Sequence, residues 1–504
     1  MAITLRARAA PGKPIAAADR PRGSWLRGRP RRVGCPAMTI LALDLGTSSV
    51  RGLVLDADAV PRPGALARRR VRLTTGEDGT GTLDGAGYLA RLLECLDELA
   101  EGGHLRDVEL VAASAQWHSV LPLGADGEPL GPVLTWLDTR PEPVAGSAGP
   151  TDPAAFHQRT GGWWHRCYWT VRLPWLRQRA GSRVTRFVGL VEYVLDALLT
   201  EAPMSVSMAS GTGMLDLGLL AWDAEACALA GVRPAELPAL APQRWRGRLR
   251  PECARRWPDL AEARWTAPVG DGAASNVGSG CVDESRAAVT VGTSAAVRVV
   301  RAVPADTALP PLPNRLWRYR VDHEHVVTGA AYSSGGNLYA WANRELRLPE
   351  GAELEAALAR STRDLRVRAN PRFGGDRPPG LAAAGSGELH GLSFGTTAVD
   401  VLAGLMTGLC RLVADDLAVL ESDVDHPVEV VLGGGAMAAS AWWRGAFADA
   451  LAPRTVRFQH NPEVGATGAA LVALGRVAEA ARVGGIGRTD EGAAPNTVGG
   501  ARPH

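Results

Sequence analysis

An aspartate that ends an apolar run and meets a small polar turn can hold a metal ion against phosphate oxygens. Asp44 stands this way in LALDLGTSSVRGLVLD, residues 41–56. Mg²⁺ prefers one or two carboxylates plus phosphate oxygens, so Asp44 is the candidate metal residue; the competing role is an aspartate capping the turn before glycine. The turn offers Gly46, Thr47 and Ser48. Glycine lets backbone N–H groups approach a ligand, and the two hydroxyls add donors, which suits a phosphate. The device recurs in AVTVGTSAAVRVV, residues 288–300, where Gly292, Thr293 and Ser294 repeat the turn and Thr290 replaces the aspartate. With one residue inserted in the second copy, Val50 and Arg51 fall on Val297 and Arg298. Each copy reads as a β-hairpin. Two copies far apart suggest two related domains gripping one polyphosphate, and an acid on only one copy suits one metal ion.

Asp271 lies in VGDGAASNVGSG, residues 269–280. It reads either as the N-cap of a helix or as a general base that takes the proton from a substrate hydroxyl attacking phosphorus. Gly433, Gly434 and Gly435 with Ala438 fit G-x-G-x-x-A between a strand and a helix, as in a dinucleotide-binding turn. The acid expected about 20 residues on is not convincing, since Asp449 falls in a helix-like stretch and Glu463 in a loop. Close approach of Gly434, Gly435 and Ala436 to an adenosine is a second reading, and a packing turn a third. Residues 116–175 mix Trp117, Trp136, Trp163, Trp164, Trp169 and Trp175 with Gln116, His118, Asp138, Arg140 and His165. Aromatic clusters are usually core, but rings among polar groups also suit a polyol, whose C–H faces pack while its hydroxyls bond. Gln116, Trp117, His118, Asp138 and Arg140 are the candidate substrate contacts.

These residues need elements to carry them. Strand patterns run at 39–44 and 50–55, and a buried strand is expected at 110–113. A helix is expected over 88–100, with Leu89, Leu92, Leu93, Leu96 and Leu99 on one face, and others over 187–199, 397–421 and 466–482. A glycine turn at 333–337 and a strand at 428–432 complete the second half. Strands alternating with helices predict an α/β architecture. The chain of 504 residues is too long for one ordinary core. The expected division is a disordered basic extension at 1–37, domains at 38–266 and 267–482, and a flexible tail at 483–504.

Composition removes several chemistries. Lys13 is the sole lysine, which excludes a P-loop, a protein kinase and a Schiff-base pyridoxal enzyme. Seven cysteines without a C-x-x-C pair indicate neither a disulfide framework nor a zinc site, and fit reduced thiols in a cytoplasm. No apolar stretch reaches about 18 residues, so no membrane span is expected. A net charge of +2 argues neither for nor against nucleic acid.

In this order the motifs resemble those of the FGGY carbohydrate kinases, part of the superfamily of actin, heat-shock ATPases and sugar kinases. LALDLGTSSVRG is similar to the family's first phosphate hairpin, VTVGTSAAVR to its second, LGGGAMAAS to its adenosine turn and GDGAASNVGSG to its catalytic-aspartate segment. The resemblance covers roughly residues 38–482. Within the family the nearest pattern is gluconokinase: WHSVLPLGADGEPLGPVLTWLDTR at 117–140 and GAAYSSGGNLYAW at 329–341 carry it. Gln116 before an aromatic resembles xylulokinase members, with Trp117 for their Met. Arg172 stands where Lys is frequent, and GGDRPPG at 374–380 has Asp376 for Glu.

The resemblance implies two actin-like, ribonuclease H-like α/β domains around a central cleft. Asp271 would be the catalytic base and Asp44 would organise Mg²⁺. Gly46, Thr47, Ser48, Gly292, Thr293, Ser294, Gly335, Gly336, Asn337, Gly434, Gly435 and Ala436 would hold ATP. The partner would be a small sugar or sugar acid, gluconate first and a pentulose such as xylulose second. No nucleic acid or membrane partner is expected, and a homodimer is one candidate assembly. A non-kinase ATPase of the superfamily and a dinucleotide-dependent oxidoreductase stay open. Deleting residues 1–37 is expected to leave activity and melting temperature nearly unchanged; a large drop in either would show the arm to be structural.

Overall fold

The computed structural model describes residues 38–303, 307–361, 366–375, 378, 385–422, 424 and 428–483. The basic extension, the tail from 484 and Asp376 lie outside them.

The first apolar runs form strands Thr39–Leu45 and Ser49–Leu55, paired antiparallel about the 46–49 turn. Pro61–Arg70 continues the antiparallel set. Ala65 and Ala67 are buried while Leu66 and Arg68 are exposed, the alternation of a strand covered on one face. The chain then crosses through helix Gly85–Glu101 to strand Val108–Ala115, parallel to Thr39–Leu45; a parallel pair requires such a crossover. Asp84 caps the helix by accepting from the N–H groups of Ala86 and Gly87. Tyr88, Leu92, Cys95, Leu96 and Leu99 form its buried stripe. This is the expected face, with Leu89 and Leu93 partly buried at its margin. Arg264–Trp265 and Val269–Gly270 both join Val108–Ala115 in parallel.

The second half repeats the plan. Arg286–Val291 and Ala295–Ala302 form a hairpin, and His325–Tyr332 adds antiparallel. Helix Ala398–Leu420 crosses to Glu429–Gly433, parallel to Arg286–Val291, with Val456–Phe458 parallel beyond it. Thr397 and Asp400 form a capping box at the start of that helix. Trp317–Arg320 is appended at the antiparallel edge. In both sheets the chain lays three antiparallel strands, then crosses over and adds parallel ones on the far side of the first. The mixed α/β fold with two sheet-bearing lobes is thus a duplication, as the paired hairpins imply. Two large apolar clusters fill the lobes, and Trp317 and Tyr319 of the appended strand pack into the first.

Four expectations change. Val269–Gly270 and helix Asp271–Gly278 are built onto the first sheet, so the division at 266/267 falls too early. The predicted helix at 187–199 opens as strand Arg186–Val188, paired with Leu121–Leu123; Gly189 follows it and the helix covers only Leu190–Asp196. The predicted terminal helix is Val464–Ala473, stopped before Gly475 at φ +67, with Ala480–Val483 a separate turn. The two hairpins also differ in turn length. The first encloses residues 46–49 and pairs Asp44 with Arg51. The second encloses only 292–294 and pairs Thr290 with Ala296. Ala296 therefore occupies the place of Arg51, and Arg298 faces Ala288 instead.

Helix Val464–Ala473 leaves the second sheet and packs on the first, against Val108–Ala115, Thr39–Leu45 and helix Asp271–Gly278. The two helices meet backbone to backbone. A Cβ on Gly468 would stand 1.8 Å from the Ala274 carbonyl oxygen, and one on Gly278 1.9 Å from that of Val464. Gly468→Ala is expected to destabilise the chain by about 1–3 kcal/mol, the scale of overpacking. Gly131→Ala, which meets nothing within 4 Å, is expected to be near neutral. Urea midpoints compare the two, and equal midpoints would contradict the crossing.

Candidate active site

Strand Val269–Gly270 pairs with Ser114 and Ala115 and so delivers Asp271 as the first residue of helix Asp271–Gly278. A carboxylate there is favoured by the positive helix end. The Gly272 N–H donates to Asp271 Oδ1 at 2.7 Å. Burial nevertheless pushes this carboxyl above the usual range; the Gly272 N–H, Arg298 and His118 oppose the rise, and Asp44 adds to it.

Asp44 lies two strands away on the same sheet, beside Ser114 and opposite Arg51. Its Oδ2 is 3.7 Å from Arg51 Nε, while Arg51 Nη1 is 2.9 Å from Glu463 Oε2. Burial raises the Asp44 carboxyl, Arg51 opposes this and Glu463 adds to it. The buried phenol of Tyr88 is pushed well up by burial, and both Asp44 and Asp271 add to that push. The two carboxylates thus share one electrostatic neighbourhood. Among the described residues no three His, Cys, Asp or Glu side chains form a metal cluster. A half-buried carboxylate beside the first turn therefore fits a cation that takes most of its ligands from phosphate and water, as Mg²⁺ does.

The first turn is tied to the aromatic region. Tyr88 Oη donates to the Gly46 carbonyl at 2.9 Å. The Thr47 hydroxyl donates to Gln116 Oε1 and accepts from Trp136 Nε1, each at 3.3 Å. Gln116 is buried, and its Nε2 has no partner among the described residues. Trp117 is buried too. Its Nε1 donates to the Ser207 carbonyl, and its ring packs so closely on the backbone of Gly211, Gly270 and Gly272 that a Cβ at any of them would lie within 2.6 Å of it. The indole thus forms the wall behind Asp271. His118 has φ +67, and its Nδ1 donates to the Gly211 carbonyl at 2.6 Å, which fixes that tautomer.

Asp138 and Arg140 are arranged differently from expectation. Asp138 is wholly buried, and both carboxylate oxygens are engaged inside the chain, by the Gly81 N–H and by Arg140 Nε and Nη2. It holds Arg140, whose guanidinium lies 5.6 Å from the Trp175 ring centre. Behind both sits Arg172, fully buried, donating to the carbonyls of Arg166, His118 and Asp138 at 2.9, 2.8 and 3.2 Å. Three loops converge on this one side chain. Its type was conspicuous in the sequence, but its role as a hub needed the fold.

On the second sheet three glycine turns pack together. Gly292 N–H donates to the Ser294 carbonyl, Gly336 N–H to that of Gly292 at 2.7 Å, and Asn337 N–H to that of Thr293 at 3.2 Å. Gly335 backs on Ser294, where a Cβ would lie 2.6 Å from its carbonyl carbon. Gly434 takes φ +101, and a Cβ there would lie 2.4 Å from the Val291 oxygen, so glycine is required. A Cβ on Gly336 would touch that of Ala436 at 3.6 Å, and Gly435 stands exposed beside it. Thr293 at the turn tip and Ser48 in the first turn are both exposed. Residues outside the candidate set complete the picture: Arg51, Glu463, Tyr88, Arg298, and the helix glycines 465 and 468. A Cβ on Gly465 would lie 4.0 Å from Asp44 Oδ1 and 3.5 Å from Ser114 Oγ.

Comparison with known proteins identifies the family and the fold. The N-terminal domain model of the FGGY family of carbohydrate kinases matches residues 39–278, and the C-terminal domain model matches 287–475. The gluconokinase of Bacillus subtilis is 24% identical over 429 residues, 81% of this chain and 82% of that protein. The xylulose kinase of Streptomyces coelicolor is 28% identical over 457 residues, covering 86% and 87%. The solved gluconate kinase of Lactobacillus acidophilus superposes with a TM-score of 0.76 at 21% identity, over 90% of this chain and 92% of that one. The ligand-bound xylulose kinase of Lactobacillus acidophilus gives 0.77 at 22% identity, over 89% and 92%.

The Arg172 hub makes a testable claim. Arg172→Lys keeps the charge but cannot span three carbonyls, and each buried group left unpaired costs about 1–3 kcal/mol. The expected result is a urea midpoint clearly below the parent's; an unchanged midpoint would mean that the three loops do not depend on the guanidinium.

Proposed function

The chain belongs to the FGGY family of carbohydrate kinases, and from that membership we propose that it moves the γ-phosphoryl group of ATP to a terminal hydroxyl of a sugar acid, gluconate first. The observation that carries this reading is the meeting of two raised carboxyls, Asp44 and Asp271, beside a glycine-and-hydroxyl turn. One carboxylate suits a metal and the other a proton.

Asp271 would accept the proton of the attacking hydroxyl. The substrate oxygen forms its bond to the γ-phosphorus as the bond to the β,γ-bridging oxygen breaks, and that electron pair leaves with ADP. A base poised above the ordinary aspartate value abstracts such a proton more readily near neutrality. Asp44 is suited to hold Mg²⁺, which would supply neutralisation of phosphate charge. The N–H groups and hydroxyls of Gly46, Thr47, Ser48, Gly292, Thr293 and Ser294 would grip the phosphates. Gly335, Gly336, Asn337, Gly434, Gly435 and Ala436 would line the nucleoside side. Gln116 Nε2, a buried donor without a partner among the described residues, would meet a substrate hydroxyl, with His118 beside it and Trp117 as the apolar wall. Asp138 would act through Arg140. Positioning and charge neutralisation would supply most of the rate.

A second reading is a pentulose kinase, supported by the 28% identity to the Streptomyces xylulose kinase and by Gln116 ahead of an aromatic. The dinucleotide reading of the 433–435 turn has no support from the family. A reducing cytoplasm suits the six cysteines described as free thiols.

A panel of gluconate, xylulose, ribulose and glycerol, scored by ADP production, is expected to give the highest kcat/KM with gluconate; preference for xylulose would replace that substrate. Asp271→Asn is expected to fold and bind ADP while kcat falls about 10²-fold or more. The parent's kcat/KM should fall on acidification with a midpoint above the ordinary aspartate range, because burial raises Asp271 and the base must be ionised. Near-normal turnover by the Asn variant would remove Asp271 from the chemistry.

A further inference from the structure

Arg298 is a buried guanidinium, 9% exposed, on strand Ala295–Ala302 of the second sheet. Its hydrogen bond from Nη1 to Thr290 Oγ1 is long, at 3.4 Å. Among the described residues it has no ion pair within 4.0 Å, although arginines elsewhere in the chain pair widely. Asp271 attracts it from beyond ion-pair distance, and a buried cation matched only in this way is stabilised further by an anion that joins it. Five N–H donors in a planar fork match the oxygens of a phosphoryl group.

Its position narrows the choice of anion. The guanidinium abuts the start of the base helix, where a Cβ on Gly272 would lie 3.1 Å from Arg298 Nε. Thr290, which it contacts, stands where the first hairpin has Asp44, two residues before the turn glycine. The duplicated hairpins thus differ in charge: the first carries the Asp44 carboxylate with Arg51 opposite it, the second the Arg298 guanidinium, and both Asp44 and Arg298 act on Asp271. An anion beside the base is at the reacting end of the substrate, whereas the carboxylate of a sugar acid is at the far end of its carbon chain.

We propose that Arg298 is a catalytic residue that contacts the transferred phosphoryl group from the second sheet, opposite Asp44, and neutralises charge as that group moves from ADP to the substrate oxygen. The proposal rests on the kinase reading above. It assigns a function to an arginine that the sequence alignment merely paired with Arg51 and that the hairpin register then separated from it.

The test uses Arg298→Met and Arg298→Lys in the full chain, with gluconate and xylulose as acceptors and ADP as the binding probe. For Arg298→Met, kcat is expected to fall about 10²–10³-fold with both acceptors, the scale for losing one preorganised charge donor. Sugar KM and ADP affinity should stay close to the parent's, because neither the sugar nor ADP carries the transferred group. Arg298→Lys should recover part of kcat, and added guanidinium ion should do the same for the Met variant. Sugar-free ATP hydrolysis should fall in parallel. If Arg298→Met fails to fold, Arg298→Lys carries the same comparison at smaller amplitude. Undiminished kcat in an active background would overturn the proposal. So would a KM rise confined to gluconate, which would assign the guanidinium to the substrate carboxylate. A parent inert toward every sugar would sink the kinase reading and this proposal together.

Discussion

The close crossing of helices Asp271–Gly278 and Val464–Ala473 constrains the rest of the site. Gly278 and Gly468 let two backbones touch where any side chain would collide with a carbonyl. One of these helices begins with Asp271, and the other follows Glu463, the partner of Arg51. The contact therefore sets the distance between the proton-accepting candidate and the Asp44–Arg51 pair. It also brings the end of the chain, arriving from the second sheet, back onto the first.

Charge is managed around that joint by opposing effects, of which burial is the largest. Burial raises both Asp44 and Asp271, while Arg51 and Arg298 act in the other direction. Among the described residues neither carboxylate has a tight bidentate partner, in contrast to Asp138, whose oxygens are consumed by Arg140 and the Gly81 N–H. A carboxylate satisfied within the chain is a fastener. One left raised and half-exposed retains the capacity to take a proton or a cation. With a single lysine in the chain, arginine supplies this balance throughout the folded part.

Much of this was legible in the residues. The two hairpins, the helix expected over 88–100 and found at Gly85–Glu101, and the helix expected over 397–421 and found at Ala398–Leu420 follow from apolar periodicity and turn glycines, which are local signals. The family resemblance rested on motif order and is borne out by the two domain matches. What misled was likewise local. Phe187 and Val188 continue an apolar helical pattern, yet Leu121–Leu123 recruits them as a strand. The alignment of Arg51 with Arg298 assumed one residue more in the second hairpin, whereas its turn is one residue shorter and the ladder is shifted the other way. Asp138 was read as a sugar contact because Asp among tryptophans suits a polyol; its engagement by Gly81, distant in sequence, could not be seen.

By itself the sequence determined the duplicated α/β plan, the glycine turns, the candidate base and the absence of lysine-dependent chemistry, because each is written in residues close together along the chain. Tertiary structure alone decided that Trp117 is a wall held by three glycines, that Arg172 joins three loops, and that Arg298 meets the Asp271 helix with no ion pair among the described residues. Those outcomes depend on contacts between segments dozens to hundreds of residues apart. Their geometry is set by which backbones can approach closely, and no local pattern of residue types encodes that.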